Sequence, residues 1–387
     1  MSAARPGLLF IVNSLEIGGA EKQVVTLLNH LDGGQFRLHL AYLKSGDRLL
    51  GQLDTGKLAT LTCCNVSRGV EQRAIRQLAA LIQAHSIDAV ICTNMYSMLY
   101  GYLARSRTRP APKLATVFHT TLLRTYKEKA QMLLYRQLFR RSDLLMYVSE
   151  NQRDRWRDWG LRAAADAVVH NGIDVDHFST ERTPRHEPLR ASLGLTEADY
   201  VIGLCSGLRP EKAHGDLLHA LARLHGRGIA AKALLIGDGP ERARIESITA
   251  ELGLREHVII TGLQEDVRPY IACCDVMTLV SHTETFSLAA LESMALGKPL
   301  VMSDIGGASE QVVHGQTGLL FEPHDIAALT EQLTALRSPE LRARMGAAAA
   351  RRVREHFSLR AMTSGFTAQV NRLLAGASLT SGSVSRS

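Results

Sequence analysis

LLFIVNSLEIGGAEKQVVTLLNHL, residues 8–31, sets the rhythm of the chain. An apolar run reads as a strand, Gly18 and Gly19 mark a tight turn, and the segment after them has helical spacing. The same alternation recurs through FRLHLAYL (36–43), DAVICTN (88–94), KLATVFHT (113–120), DLLMYVS (143–149) and DAVVHNGI (166–173). Short apolar strands separated by helices predict βαβ units and a parallel sheet. The polar stretch STERTPRHEP (179–188) carries no apolar period and reads as a domain boundary. The rhythm then restarts with YVIGLCSG (200–207), KALLIGDG (232–239), HVIITG (257–262), DVMTLVS (275–281) and KPLVMSD (298–304), which predicts a second doubly wound α/β domain. The expected organisation is therefore a first domain over 1–178, a linker over 179–190 and a second domain over 191–357. A helix over 358–375 is expected to return to the first domain, followed by a disordered polar tail over 376–387.

Composition agrees with two soluble domains: 387 residues, 45% of them apolar and 21% charged, with a mean hydropathy of −0.03. No apolar run approaches the ~20 residues that span a bilayer. The N-terminus lacks a small-residue cleavage site, so a cytoplasmic location is expected. Six cysteines without a C-x-x-C fit a reducing compartment and predict no cysteine-based zinc site. The net charge of +7 is uneven: residues 1–190 hold 26 Lys and Arg against 17 Asp and Glu, a net of +9, and the remainder is −2. That asymmetry assigns the first half an anionic surface or substrate.

Open parallel sheets bind ligands outside the carboxyl ends of their strands, so two such domains are expected to share a crevice. The strongest constellation is SHTETFSLAALESMALG (281–297). A helix starting near Ser287 would offer the amides of Phe286, Ser287 and Leu288 to a phosphate. Glu292 is placed to accept hydrogen bonds from two ribose hydroxyls, with Glu284 directed beyond the phosphates. In SGLRPEKAH (206–214), Arg209 and Lys212 follow the first strand of the second domain and suit a diphosphate. Gly18 and Gly19 let the backbone approach a ligand closely. His119 closes a strand at its carboxyl end, and Leu263 is a candidate contact for a base. No His/Asp cluster on a strand end suggests a required divalent cation, so no metal site is expected.

Together these motifs resemble the retaining glycosyltransferases of family 4. The E-x-F-G/S-x-x-x-x-E signature matches Glu284, Phe286, Ser287 and Glu292, followed by Gly306, Gly307 and Glu310. HGQTGLLFEP, LLIGDGPE, HNGIDVDHF at the end of the first domain and GGAE at 18–21 continue the likeness over nearly the whole chain. The resemblance implies the GT-B fold, two Rossmann-like domains facing each other across a central cleft. It also implies a nucleotide diphosphate sugar as co-substrate, with UDP favoured, no required cofactor or metal, and retention by front-side attack. Catalytic roles then fall to Glu284, His119, Lys212 and Arg209, with His119 against the transferred sugar and the Gly18–Gly19 loop against the diphosphate. Donor binding adds Leu263, Phe286, Ser287, Leu288 and Glu292. Many relatives carry an arginine where this chain has Gly207, which leaves Arg209 to supply the second charge.

The resemblance further implies a glycan or lipid-linked acceptor in bacterial-type surface or exopolysaccharide synthesis. Residues 124–141 (RTYKEKAQMLLYRQLFRR) form a basic segment with Tyr126, Ala130, Leu133, Leu134 and Leu138 at helical spacing, expected to touch an anionic membrane. Three rival readings fit the sequence less well. Nucleic-acid binding lacks a reader motif, and a dinucleotide oxidoreductase lacks G-x-G-x-x-G after either first strand. A catalytically silent nucleotide-sugar-binding subunit would have little use for an intact Lys212, Glu284 and Glu292.

Overall fold

In a computed structural model, which describes residues 5–120, 126–183 and 187–376, the chain divides into two α/β units. One runs to Asn171 and resumes at Leu359; the other is Gly172–Ser358.

The first unit is built on β1 (Gly7–Val12), β2 (Arg37–Tyr42), β3 (Leu58–Cys63), β4 (Ile87–Thr93), β5 (Lys113–Phe118), β6 (Leu144–Tyr147) and β7 (Asp166–Val168). These pair in parallel in the order β3-β2-β1-β4-β5-β6-β7. The unbroken apolar run of β1 follows from its place in the middle of the sheet, covered on both faces. Leu8 and Phe10 pack with Val24 and Leu28 of the helix Gly19–His30 and with Phe366 and Val370 of the helix Leu359–Leu374. Leu9 and Ile11 point the other way, into a core with Ile75, Leu78 and Met98. The last helix is an integral part of this unit, since the Phe10 and Phe366 rings stack at 5.8 Å.

The second unit repeats the topology. Its strands are β8 (Tyr200–Cys205), β9 (Ala231–Ile236), β10 (Val258–Ile260), β11 (Val276–Leu279), β12 (Leu300–Ser303) and β13 (Gly318–Phe321). They are parallel in the order β10-β9-β8-β11-β12-β13, so the order reverses between β8 and β11 as it does between β1 and β4.

The units part seven residues before the expected end of the first domain at 178. Ile173 bridges Ser358 and donates its N–H to the Phe357 carbonyl at 3.0 Å, and the Arg268 guanidinium donates to the carbonyls of His177 and Arg182. Residues placed in the linker also belong to the second unit. The short helix Glu187–Ser192 is held by Arg190, which donates to the Cys273 carbonyl at 2.6 Å and the Asp199 carbonyl at 2.9 Å. Polar composition here reflects side chains that bind neighbouring backbone. Linker residues 184–186 and the expected tail from 377 onward lie outside the described residues.

Most of the basic segment 124–141 falls on one helix. Its residues 124 and 125 lie outside the described residues; the helix Tyr126–Phe139 buries Met132 and Phe139 and exposes Ala130, Leu133 and Leu134, the two leucines by 62% and 65%. Phe139 meets the Phe118 ring edge-on at 5.4 Å, and that contact sets the helix's rotation against the sheet. All six cysteines are free thiols, five of them buried. Among the described residues no helix is long and apolar enough to cross a membrane.

Phe366→Ala should destabilise the first unit by about 3–5 kcal/mol, the usual range for emptying an aromatic site in a core. Urea unfolding monitored by circular dichroism measures this, and a loss below about 1 kcal/mol would contradict the packing of the last helix on β1.

Candidate functional site

The strand-order reversal in the second unit leaves the loops after β8 and β11 side by side, and the side chains singled out from the sequence gather on them. After β8 the chain makes a single turn, Pro210–Lys212, and Ala213 takes a left-handed conformation (φ 51°) before the helix His214–Gly226 begins. This geometry delivers the Lys212 Nζ to the Glu284 carboxylate, 2.6 Å away on the loop after β11. Both side chains are about four-fifths buried, at 21% and 18% exposure. The pair is therefore less screened than a surface ion pair.

Glycines hold the two loops in place. Gly237 adopts φ 146°, and a Cβ on it would run into the Ser206 carbonyl oxygen. The Leu208 N–H donates to the Asp238 carbonyl at 3.0 Å, locking the loop after β9 to the one carrying Arg209 and Lys212. Gly306 (φ 56°) lies where a side chain would strike the Glu284 carbonyl, and the Gly307 N–H donates to Thr285 at 2.8 Å. A Cβ on Gly207 would lie 3.6 Å from the Arg209 Nε, so Arg209 runs beside that position.

The helix after Glu284 spans Leu288–Ala295 with Ser287 as N-cap, its Oγ accepting from the Ala290 N–H at 3.2 Å. One expected anion donor is already committed: the Ser287 N–H donates to the Gln311 Oε1 at 3.1 Å, and the Gln311 Nε2 donates back to the Ser287 carbonyl at 2.8 Å. Gln311, fully buried, was not singled out from the sequence because nothing local marks a side chain that reaches across 24 residues. Phe286 is buried with its ring 5.4 Å from that of Phe357, Leu288 opens the helix, and Glu292 is 7% exposed. Leu263 stands 71% exposed next to Gly262, which bridges Gly237, so an apolar surface adjoins the loop after β9.

In the first unit, Gly18 caps the helix Gly19–His30 in an extended conformation, with the Glu21 carboxylate folded back against it. A Cβ on Gly19 would meet nothing within 4 Å among the described residues. His119 follows β5, and its N–H donates to the Asn94 Oδ1 at 2.8 Å. Asn94 is left-handed (φ 64°) at the point where β4 turns into the helix Asn94–Arg105, a position that spacing alone does not reveal. His119 lines a largely apolar pocket with Gln23, Thr93, His170 and Asn171. Burial pushes its imidazole down to about 4, so it is neutral at pH 7 and can exchange hydrogen bonds with a hydroxyl.

No His/Asp cluster was expected, yet one forms. Asp216, His282 and His324 come together from segments far apart in sequence, with the His282 Nε2 2.7 Å from the Asp216 Oδ2.

Burial also lowers His39 and His214 to about 4. With His119, three imidazoles stay neutral in the folded chain but take up protons when unfolded below about pH 6.5. Stability should therefore fall as pH drops from 6.5 towards 4, and the imidazole resonances of these three should titrate near 4. Unfolding free energy that is flat across that window would contradict it.

Comparison with known proteins covers both units. The family model described as Glycosyltransferase Family 4 matches residues 17–177, and the one described as Glycosyl transferases group 1 matches 186–352. The N-acetyl-alpha-D-glucosaminyl L-malate synthase of Bacillus anthracis is 30% identical over 260 residues, 66% of this chain and 67% of that protein. A GDP-mannose-dependent alpha-(1-6)-phosphatidylinositol monomannoside mannosyltransferase of Mycolicibacterium smegmatis is 30% identical over 54% of this chain, and the match spans only 56% of that relative. Among solved structures, Anabaena HepE in complex with UDP superposes with a TM-score of 0.83 at 23% identity, over 94% of this chain and 99% of that one.

Proposed function

Because the chain belongs to glycosyltransferase family 4, we propose that it transfers a sugar from a nucleotide diphosphate sugar to a hydroxyl of a glycan or lipid-linked acceptor, with retention at the anomeric carbon. The Lys212–Glu284 pair, held at the strand-order reversal of the second unit, is the observation that carries this reading. Nucleotides bind at such a reversal in doubly wound sheets, and a lysine fixed there beforehand meets the charge of a diphosphate.

In the reaction the anomeric carbon loses its bond to the donor's phosphate oxygen and gains one to the acceptor oxygen, and the acceptor proton passes to the departing diphosphate. Negative charge grows on the leaving group while the sugar becomes oxocarbenium-like. Lys212, with Arg209 beside it, stabilises the first, and the Glu284 carboxylate stabilises the second and orients sugar hydroxyls. Glu292 holds the ribose, and Leu263 offers an apolar edge to the base. Neutral His119 contacts a sugar hydroxyl. Uridine is the proposed base and a bacterial-type surface or exopolysaccharide the proposed product. HepE was solved with UDP, whereas the Mycolicibacterium relative is named as using GDP-mannose, so the base is a direct object of test.

Lys212→Ala and Glu292→Ala should each weaken UDP binding, by roughly 10- to 100-fold if a charge-assisted hydrogen bond of about 1.5–3 kcal/mol is lost. Sugar transfer should fall with it while circular dichroism stays unchanged. Thermal shift against UDP, GDP and ADP reads both the loss and the base preference. Wild-type affinity for all three nucleotides in both variants would overturn the site.

The exposed Leu133 and Leu134, on a helix that also carries Arg136 and leads into Arg140 and Arg141, support peripheral contact with an anionic membrane. Neutralising the three arginines should weaken sedimentation with phosphatidylglycerol vesicles by roughly 100-fold, at about 1 kcal/mol per basic residue. Equal sedimentation of the variant and the wild type would remove this part of the proposal.

A further inference from the structure

We propose that Asp216, His282 and His324 form a binding site for a divalent transition metal, Zn²⁺ by the chemistry of the donors. None of the three is among the residues assigned to the nucleotide sugar, and Arg209, assigned to the diphosphate, lines the same cavity as Asp216 and His282. One ligand atom from each residue lies within 4.8 Å of the other two. They come from three elements: Asp216 from the first turn of the helix His214–Gly226, His282 from the loop after β11, and His324 from the turn between β13 and the helix Ile326–Ala335. The His282 Nε2 sits 2.7 Å from the Asp216 Oδ2, and the two imidazole rings lie 3.7 Å apart, inclined at 44°.

Two imidazoles and one carboxylate make the three-ligand set that Zn²⁺ accepts with water in a fourth position; Mg²⁺ and Ca²⁺ prefer oxygen donors. Bonds of about 2.0–2.2 Å to a tetrahedral ion place ligand atoms roughly 3.3–3.6 Å apart, so small side-chain rotations close the set. Access is open on one side, since His324 is exposed and Asp216 and His282 line a cavity of about 210 Å³.

His324 also occupies a left-handed backbone position, φ 69°, which a glycine would adopt at lower cost. The histidine accepts that conformation and sets its ring against His282. The ion would join three elements that follow β8, β11 and β13 at the carboxyl ends of the second unit's strands. It would also stiffen the turn before Lys212, because the His282 N–H donates to the Glu211 carbonyl at 2.9 Å.

The test compares the full-length wild-type chain with His324→Gly, which suits the backbone, and Asp216→Asn, which keeps the side chain's size. Calorimetric titration with ZnCl₂ should give the wild type one more high-affinity equivalent than either variant, or at least a 10-fold tighter Kd for that equivalent. Co²⁺ should produce visible d–d absorption in the wild type that both variants lose and that excess Mg²⁺ leaves intact. Unchanged UDP thermal shifts in metal-free His324→Gly would establish that the variant is folded and its nucleotide site whole, so a metal result stands apart from the donor-site reading. Zn²⁺ stoichiometry and affinity equal to wild type in either variant, or Co²⁺ absorption that survives in either, would overturn the proposal.

Discussion

The ion pair between Lys212 and Glu284 is the contact on which the second unit's site depends. It exists only because the strand order reverses between β8 and β11, which leaves two loops 72 residues apart in sequence lying next to each other. Each loop is braced from outside: the GDG turn grips the backbone at Ser206 and Leu208, and Gly306 and Gly307 grip Glu284 and Thr285. A charge held in this way before a ligand arrives needs little reorganisation when the charge of a diphosphate appears, and that is the condition under which fixed cations contribute most. The glycines of these motifs are thus explained by backbone crowding rather than by flexibility.

Much of this was legible in the sequence, and the parts that were not share a cause. Strands buried on both faces announce themselves as apolar runs, and the signature around Glu284 names residues that the fold then brings to Lys212. What escaped depends on contacts between distant segments. The Ser287 amide reads as an open donor in the sequence, but Gln311 from another helix occupies it. Spacing marks the apolar positions of the helix Tyr126–Phe139 but not which of them meet the core; Phe139 packs on Phe118 while Leu133 and Leu134 face outward. The first unit ends at Asn171 rather than at 178 because the Ile173–Ser358 bridge and Arg268 draw the following residues to the second unit. Asp216, His282 and His324 show no periodicity at all, since they come from three separate elements.

The two units are chemically unlike. The second presents fixed charges, Lys212 against Glu284 with Arg209 alongside. The first offers a neutral His119, its backbone anchored by a left-handed Asn94, lining an apolar pocket. A neutral imidazole suits sugar hydroxyls, and the lysine of the ion pair suits phosphates. Part of the excess basic charge of the first half lies on the helix Tyr126–Phe139 and at Arg140 and Arg141 just after it.

Hydrogen exchange on the full chain, with and without saturating UDP, tests the central claim most directly. If Lys212 and Glu284 mark a nucleoside diphosphate site, amides in 206–213 and 281–293 should gain protection together, and Lys212→Ala should raise the UDP concentration giving half of that gain by roughly 10- to 100-fold. UDP binding that leaves both segments unchanged, or protects residues elsewhere in the second unit, would contradict the account.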